Sequence, residues 1–348
     1  MTNFLLIFLL VCSCTALGQD VTRIEKFRQA KERYDAMEAR HRLEIKTKHT
    51  HLSFLKWPGS DRHKGTIFWL HGSLSNAYEF APFVDSLTKQ GYTVISVDQY
   101  GHGATKLPSF DASFDDFADD LQALMDSLSV EKAIIGGFSR GAYLATNFYG
   151  KYPQRVKALL LEDGGTVDFK LNFLHKDPLI QMQNLRAADV PEDLQKRFLG
   201  YYASDWEGYT MLYDETDSTE QYQILSLLKH DGNGWISYRG LPQYYHMQDS
   251  KQLAELLFAP QKVSRYARSI VELRPGEILG NVQIPVLILE AVGEGDLFPL
   301  DQENLALVAK APKYITHNRF PGTHHNIHFS APQQFLQAIT SFLEKHVD

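Results

Sequence analysis

Gly137-Phe138-Ser139-Arg140-Gly141 has the spacing G-x-S-x-G, between an apolar run, Lys132 to Gly136, and a helix-forming stretch, Ala142 to Tyr149. A serine in such a strand-to-helix turn has its hydroxyl pushed out above a helix N-terminus. The glycines on either side have a mechanical job, because a β-carbon there would collide with the neighbouring strand or helix. A serine hydroxyl is a poor nucleophile at neutral pH, so a histidine must take its proton and a carboxylate must hold that histidine in one tautomer. With this turn the partners are expected in the order serine, acid, histidine, each on a loop just past a strand. Two later loops qualify. The run Val286 to Leu289 leads into Glu290-Ala291-Val292-Gly293-Glu294-Gly295-Asp296, and Tyr314 to Phe320 leads into Pro321-Gly322-Thr323-His324-His325-Asn326-Ile327-His328. Glu290, Glu294, Asp296 and Asp301 compete for the acid, and His324 and His325 for the base. Glu162 and Asp163 also end a strand and could line a pocket, although a hydrogen-bonded loop role is the simpler expectation.

The elements that must position these loops alternate along the chain. Leu43 to Lys48 and His51 to Lys56 alternate apolar and polar residues, as the strands of an edge hairpin do. Apolar runs at 66–70, 93–97, 133–135 and 156–161 are separated by helical segments near 79–90, 113–128 and 140–152. That order specifies a mostly parallel sheet covered by helices on both faces. The alternation stops after Gly165, and strand logic resumes only at Val286, followed by a helix near 302–310 and a closing helix from Pro332 to Val347. The expected organisation is therefore a leader at 1–18, a first core part at 19–165 with an amphipathic helix at 21–40 packed on the body, a helical cap at 166–280, and a second core part at 281–348. The cap is rich in aromatic residues, among them Phe198, Tyr202, Trp206, Tyr209, Tyr213, Trp235, Tyr244 and Tyr245. Most should form the cap's own core, and one aromatic face is expected to meet the serine and favour small to medium apolar or aromatic esters.

These motifs together resemble the α/β-hydrolase superfamily over about residues 42–165 and 281–347. Gly293-Glu294-Gly295-Asp296 looks like that family's acid turn, which implies Asp296 as the acid. Gly322 to His328, leading to Ala331-Pro332, is similar to its histidine loop and implies His325 as the base, with His324 where the family usually has glycine. The doubled histidine resembles the serine hydrolase-like (kraken-type) subgroup. Phe68-Trp69-Leu70-His71-Gly72-Ser73 is similar to the family's His-Gly oxyanion turn, so the main-chain N–H groups of Ser73 and Arg140 are expected to receive the oxyanion. Asp98-Gln99-Tyr100-Gly101-His102-Gly103 resembles a structural turn of the family, with Gln99 where Arg is common. The resemblance implies a hydrolase, a carboxylesterase first, with thioester, amide or carbon–carbon cleavage, or slow turnover by a ligand-binding protein, as alternatives.

Composition bounds the partners. The 348 residues, 44% apolar, suffice for a large core, and 42 acidic against 35 basic groups give no electrostatic footprint for nucleic acid. A small-molecule substrate is expected, with no cofactor. His324 and His328 stand four apart, but without H-E-x-x-H or cysteine ligands no metal site is expected. Neither a G-x-G-x-x-G after a strand nor a G-x-x-x-x-G-K-[ST] occurs, which disfavours nucleotide use. The apolar run Phe4 to Val11, followed by Ala16-Leu17-Gly18, is too short to span a bilayer and reads as an export signal cleaved after Gly18. Cys12 and Cys14 both lie within it, so a mature exported chain has no disulfide, and a lipid on Cys14 is the alternative. Oligomeric state is not legible in the sequence.

Overall fold

The computed structural model describes residues 3–348 except Asp61, His175, Ala187, residues 294–299 and Asp348, with backbone only for residues 3–21. Eight strands form one sheet: β1 (Arg42–Lys46), β2 (His51–Trp57), β3 (Gly65–Leu70), β4 (Tyr92–Val97), β5 (Ala133–Phe138), β6 (Val156–Glu162), β7 (Val286–Val292) and β8 (Ile315–Pro321). Their spatial order is β1-β2-β4-β3-β5-β6-β7-β8. The β1–β2 hairpin and the β2–β4 pair are antiparallel, and every other pair is parallel. β3, β5 and β6 are buried along almost their whole length, as strands covered on both faces must be. Their residues are correspondingly apolar without alternation.

The parallel arrangement decides where chemistry can occur. β3, β5, β6, β7 and β8 all end at the same edge, so the residues following Leu70, Phe138, Glu162, Val292 and Pro321 share one rim. Gly136 sits in the middle of β5 because the Trp69 indole lies across it: a β-carbon there would stand 2.8 Å from the ring.

The chain divides into two compact units. One contains residues 41–190 and 240–348, with the sheet and its helices. The other contains residues 1–40 and 191–239. Thus the helix α1 (Asn3–His41) belongs for most of its length with residues 191–239, and the helical stretch expected as one cap at 166–280 is shared between the two units. The physical reason is aromatic. Phe27 meets Trp206 and Tyr209 edge-on with ring centroids 5.2 Å away in both cases, Lys26 donates to the Tyr213 hydroxyl at 2.7 Å, and Arg33 lies 4.3 Å from the Tyr222 ring centre. Tyr202, Tyr209 and Tyr213 are buried within this unit.

Candidate active site

Ser139 follows β5 directly and is the N-cap of the helix α2 (Arg140–Lys151), with φ 50° and ψ −118°. A non-glycine residue held at positive φ is strained, and here the strain is imposed from several sides. The Ser139 N–H donates to the Glu162 carbonyl at 2.9 Å, and its own carbonyl accepts from Ala142 N–H at 3.0 Å. A β-carbon on Gly141 would lie 1.9 Å from the Leu70 carbonyl oxygen, and one on Gly137 would lie 2.4 Å from the Gly141 carbonyl carbon. The two glycines are therefore required by close approach, as the spacing predicts.

His325, on the loop after β8, faces the serine: its Nε2 is 2.9 Å from Ser139 Oγ. The carboxylate at its other nitrogen belongs to Asp163, whose Oδ2 is 2.6 Å from Nδ1. Asp163 thus occupies the place that the sequence assigns to Asp296, and Asp296 itself lies outside the described residues. Asp163 follows β6 directly at φ 42°. Its N–H donates to the Leu289 carbonyl at 2.8 Å, and its Oδ1 accepts from Ala291 N–H at 3.1 Å. β7 thus orients the carboxylate without supplying it. Both side chains are largely buried. With Nδ1–H donated to Asp163, Nε2 presents a lone pair to the Ser139 hydroxyl, which is the tautomer a general base needs.

The other acids that compete in the sequence are committed elsewhere. Glu290 accepts from Asn304 Nδ2 at 2.6 Å and pairs with His317 Nε2 at 2.6 Å, and Asp301 pairs with Arg319. Glu290, Asp301 and His317 stand close enough together to share an ion, as do His49, Asp116 and Asp119. In both groups the side chains already have protein partners. Glu294, the remaining rival, lies outside the described residues.

The turn after β3 supplies the other half of the site. Gly72 N–H donates to Glu79 Oε2 at 3.0 Å, and Trp69 Nε1–H donates to Glu79 Oε1 at 3.0 Å, so a half-buried carboxylate fixes the turn. Burial pushes the Glu79 carboxyl above its usual range. A β-carbon on Gly72 would meet the Phe138 ring at 2.5 Å, which sets this turn against the elbow. Arg140 Nε–H donates to Ser73 Oγ at 3.1 Å. The described hydrogen bonds leave the main-chain N–H groups of Ser73 and Arg140 without an acceptor, as an oxyanion site requires. His71 and His102 hold loops: His71 Nε2 accepts from Gln99 N–H at 3.0 Å, and His102 Nε2 lies 2.8 Å from the Ser73 carbonyl. Burial lowers His71 to about 4, so it is neutral.

Glu162 and His328 form a second buried pair beneath the triad. Glu162 Oε1 accepts from His328 N–H and lies 2.8 Å from its Nδ1, with both side chains almost fully buried. Burial opposes protonation of His328, but the Glu162 charge and hydrogen bond, with Glu79 behind them, outweigh it and push it up to about 9. Because the folded value lies above the ordinary 6.5, the stabilisation is complete below about pH 6.5 and is lost as pH rises through about 9. Its size is on the order of 3 kcal/mol. We expect the stability difference between the wild type and a Glu162→Gln/His328→Gln double variant to shrink steadily over that window in urea unfolding. A difference independent of pH would show that His328 is not charged in the folded protein.

A profile of the alpha/beta hydrolase fold matches residues 65–332. The chain belongs to the α/β-hydrolase fold family. Among its curated relatives, 2-(acetamidomethylene)succinate hydrolase of Mesorhizobium japonicum is 34% identical over 105 residues, 29% of this chain and 37% of that protein. A 2-hydroxy-6-oxononadienedioate/2-hydroxy-6-oxononatrienedioate hydrolase of Paraburkholderia phymatum is 38% identical over 107 residues, 30% of this chain and 37% of that protein. The chain thus aligns with little more than a third of the length of either relative. The crystal structure of E-2-(acetamidomethylene)succinate hydrolase superposes with a TM-score of 0.60 at 20% identity, covering 87% of this chain and all of that one. At that identity the likeness speaks for the fold.

Sequence reasoning passed over Asp163. The available signal was its position, Glu162-Asp163-Gly164-Gly165 at the end of β6, one strand from the nucleophile. Gly164 adds to it: a β-carbon there would lie 2.6 Å from the Ser139 carbonyl oxygen, so this turn must run against the elbow.

Proposed function

We propose that this α/β-hydrolase is a serine hydrolase that cleaves carboxylic esters through an acyl-enzyme. The observation that carries the reading is the continuous hydrogen-bonded chain from Ser139 Oγ through His325 to Asp163, set on a strained elbow. His325 Nε2 takes the hydroxyl proton as Ser139 Oγ attacks the ester carbonyl, and the developing oxyanion is received by the Ser73 and Arg140 N–H groups. Collapse of the tetrahedral adduct expels the alkoxide, which takes the proton from His325 and leaves as the alcohol. Water then repeats the sequence on the acyl-enzyme, releasing the acid and restoring Ser139. Asp163 stays ionised throughout and stabilises the imidazolium.

The ester reading takes in small to medium substrates with an apolar or aromatic part, the class that the aromatic-rich stretch 166–280 favours. The names of the relatives keep a second reading open, in which the same machinery hydrolyses another acyl bond. A panel of p-nitrophenyl esters of increasing acyl length, a thioester, an anilide and a β-diketone tests both. We expect steady-state turnover of the esters, with kcat/KM highest for short and medium acyl chains. Turnover confined to the anilide or the β-diketone would replace the ester reading, and single-turnover kinetics on every compound would favour a binding protein.

A further inference from the structure

Arg140 contributes its N–H to the oxyanion site, but its side chain has no such duty and is 2% exposed. Nε–H donates to Ser73 Oγ, Nη2 lies 3.6 Å from Met247 Sδ, and the guanidinium carbon stands 3.9 Å over the centre of the Tyr245 ring. Nη1 is buried and has no hydrogen-bond partner among the described residues. Among the described residues no carboxylate pairs with this guanidinium, and its ionisable neighbours are the tyrosines 143, 244, 245 and 266. Those phenols remain neutral, since burial raises each of them. They are also engaged: the Tyr245 hydroxyl is 2.5 Å from His102 Nε2, the Tyr266 hydroxyl is 3.4 Å from Gln99 Oε1, and the Tyr244 and Tyr266 rings stack at 5.0 Å.

A guanidinium keeps its charge at any physiological pH and carries five N–H donors in a fixed fork. A tyrosine face and a thioether offset part of the cost of burying it, but they supply neither a negative charge nor acceptors for the remaining donors. The missing counter-charge is one that arrives with a ligand. A carboxylate fits the fork in two-point fashion, and the Ser73 hydroxyl, which accepts from Nε, keeps its own proton to donate to the same group.

We propose that Arg140 and the Ser73 hydroxyl receive a carboxylate of the substrate, so that this hydrolase acts on esters whose acyl or alcohol part carries an acid group a few bonds from the scissile carbonyl. The short spacing follows from Ser73, which offers its N–H to the oxyanion and its Oγ to the guanidinium. This inference rests on the serine-hydrolase reading and adds to its substrate an acid group beside the apolar part.

The test compares monoethyl succinate and monoethyl glutarate with their neutral isosteres, ethyl 4-methylpentanoate and ethyl 5-methylhexanoate, by acid release at constant pH. A fluorophosphonate probe reads the state of Ser139 in parallel. In the wild type we expect the acid esters to be favoured by about 10- to 100-fold in kcat/KM, the worth of a charged hydrogen-bonded pair. Succinate or glutarate should slow labelling of Ser139, and the corresponding diamides should not. Arg140→Gln should bring the acid-to-neutral ratio to about one or below, and Arg140→Lys should restore part of it. If Arg140→Gln fails to fold, the wild-type preference and the protection from labelling decide the matter by themselves. Labelling of Ser139 with no acid preference and no protection overturns the carboxylate site and leaves the hydrolase reading intact. Absence of both labelling and turnover overturns the hydrolase reading, and this inference with it.

Discussion

Ser139→Ala abolishes covalent labelling by a fluorophosphonate and lowers kcat for any ester the protein turns over by about 10⁶-fold, the loss typical of removing a nucleophile that works with its base as one unit. The expectation follows from geometry. Ser139 Oγ lies 2.9 Å from His325 Nε2, and that distance is what makes an ordinary hydroxyl reactive toward a phosphoryl electrophile. His325→Ala should cost nearly as much, and Ser139→Ala/His325→Ala should be no worse than either single change, because groups acting together do not lose their effects additively. His324→Ala should keep most of the rate, since His324 is exposed and its N–H donates to Ser330 Oγ within the loop. Mass spectrometry of the labelled peptide decides the nucleophile. Persistent labelling of Ser139→Ala would mean that another residue is being modified.

Asp163→Asn is expected to lower kcat by about 10⁴-fold while leaving substrate affinity and fold in place, and Asp296→Asn to stay within about tenfold of the wild type. An amide at position 163 can donate its own N–H to Nδ1, which turns the imidazole so that Nε2 carries the proton and cannot accept one from Ser139. The carboxylate also offsets the charge that forms on His325 in the transition state, and an amide cannot. The measurement is steady-state kinetics on one ester for the two variants. A large loss in Asp296→Asn with a near-normal Asp163→Asn would return the acid to the loop after β7. It would also reduce the Asp163 contact to a ground-state hydrogen bond.

Local patterns made the strands and the elbow legible. Most of the parallel strands are apolar runs, and even β8, whose middle is polar, lies within three residues of its expected place, as β3 to β7 do; the glycines of 137–141 announce a turn too tight for side chains. Ser139 follows from the spacing of the elbow, whereas His325 over His324 and the Ser73 and Arg140 amides come only with the resemblance of their loops to those of the family. Asp163 does not follow. β6 and β7 end at the same rim, so strand ends alone do not separate Asp163 from the loop that begins at Gly293, and the choice turns on which carboxylate meets Nδ1. That is set by the φ of 42° at Asp163 and by the Ala291 N–H that holds its other oxygen, a contact across 128 residues. The partnership of α1 with residues 191–239 and the burial of the Arg140 side chain with no counter-charge among the described residues are of the same kind. Periodicity along the chain determines which residues turn inward and where the chain must bend. Which inward residues meet, and which buried charge finds no partner among the described residues, depends on how the strands and their crossing helices pack in space, and only the tertiary structure decides it.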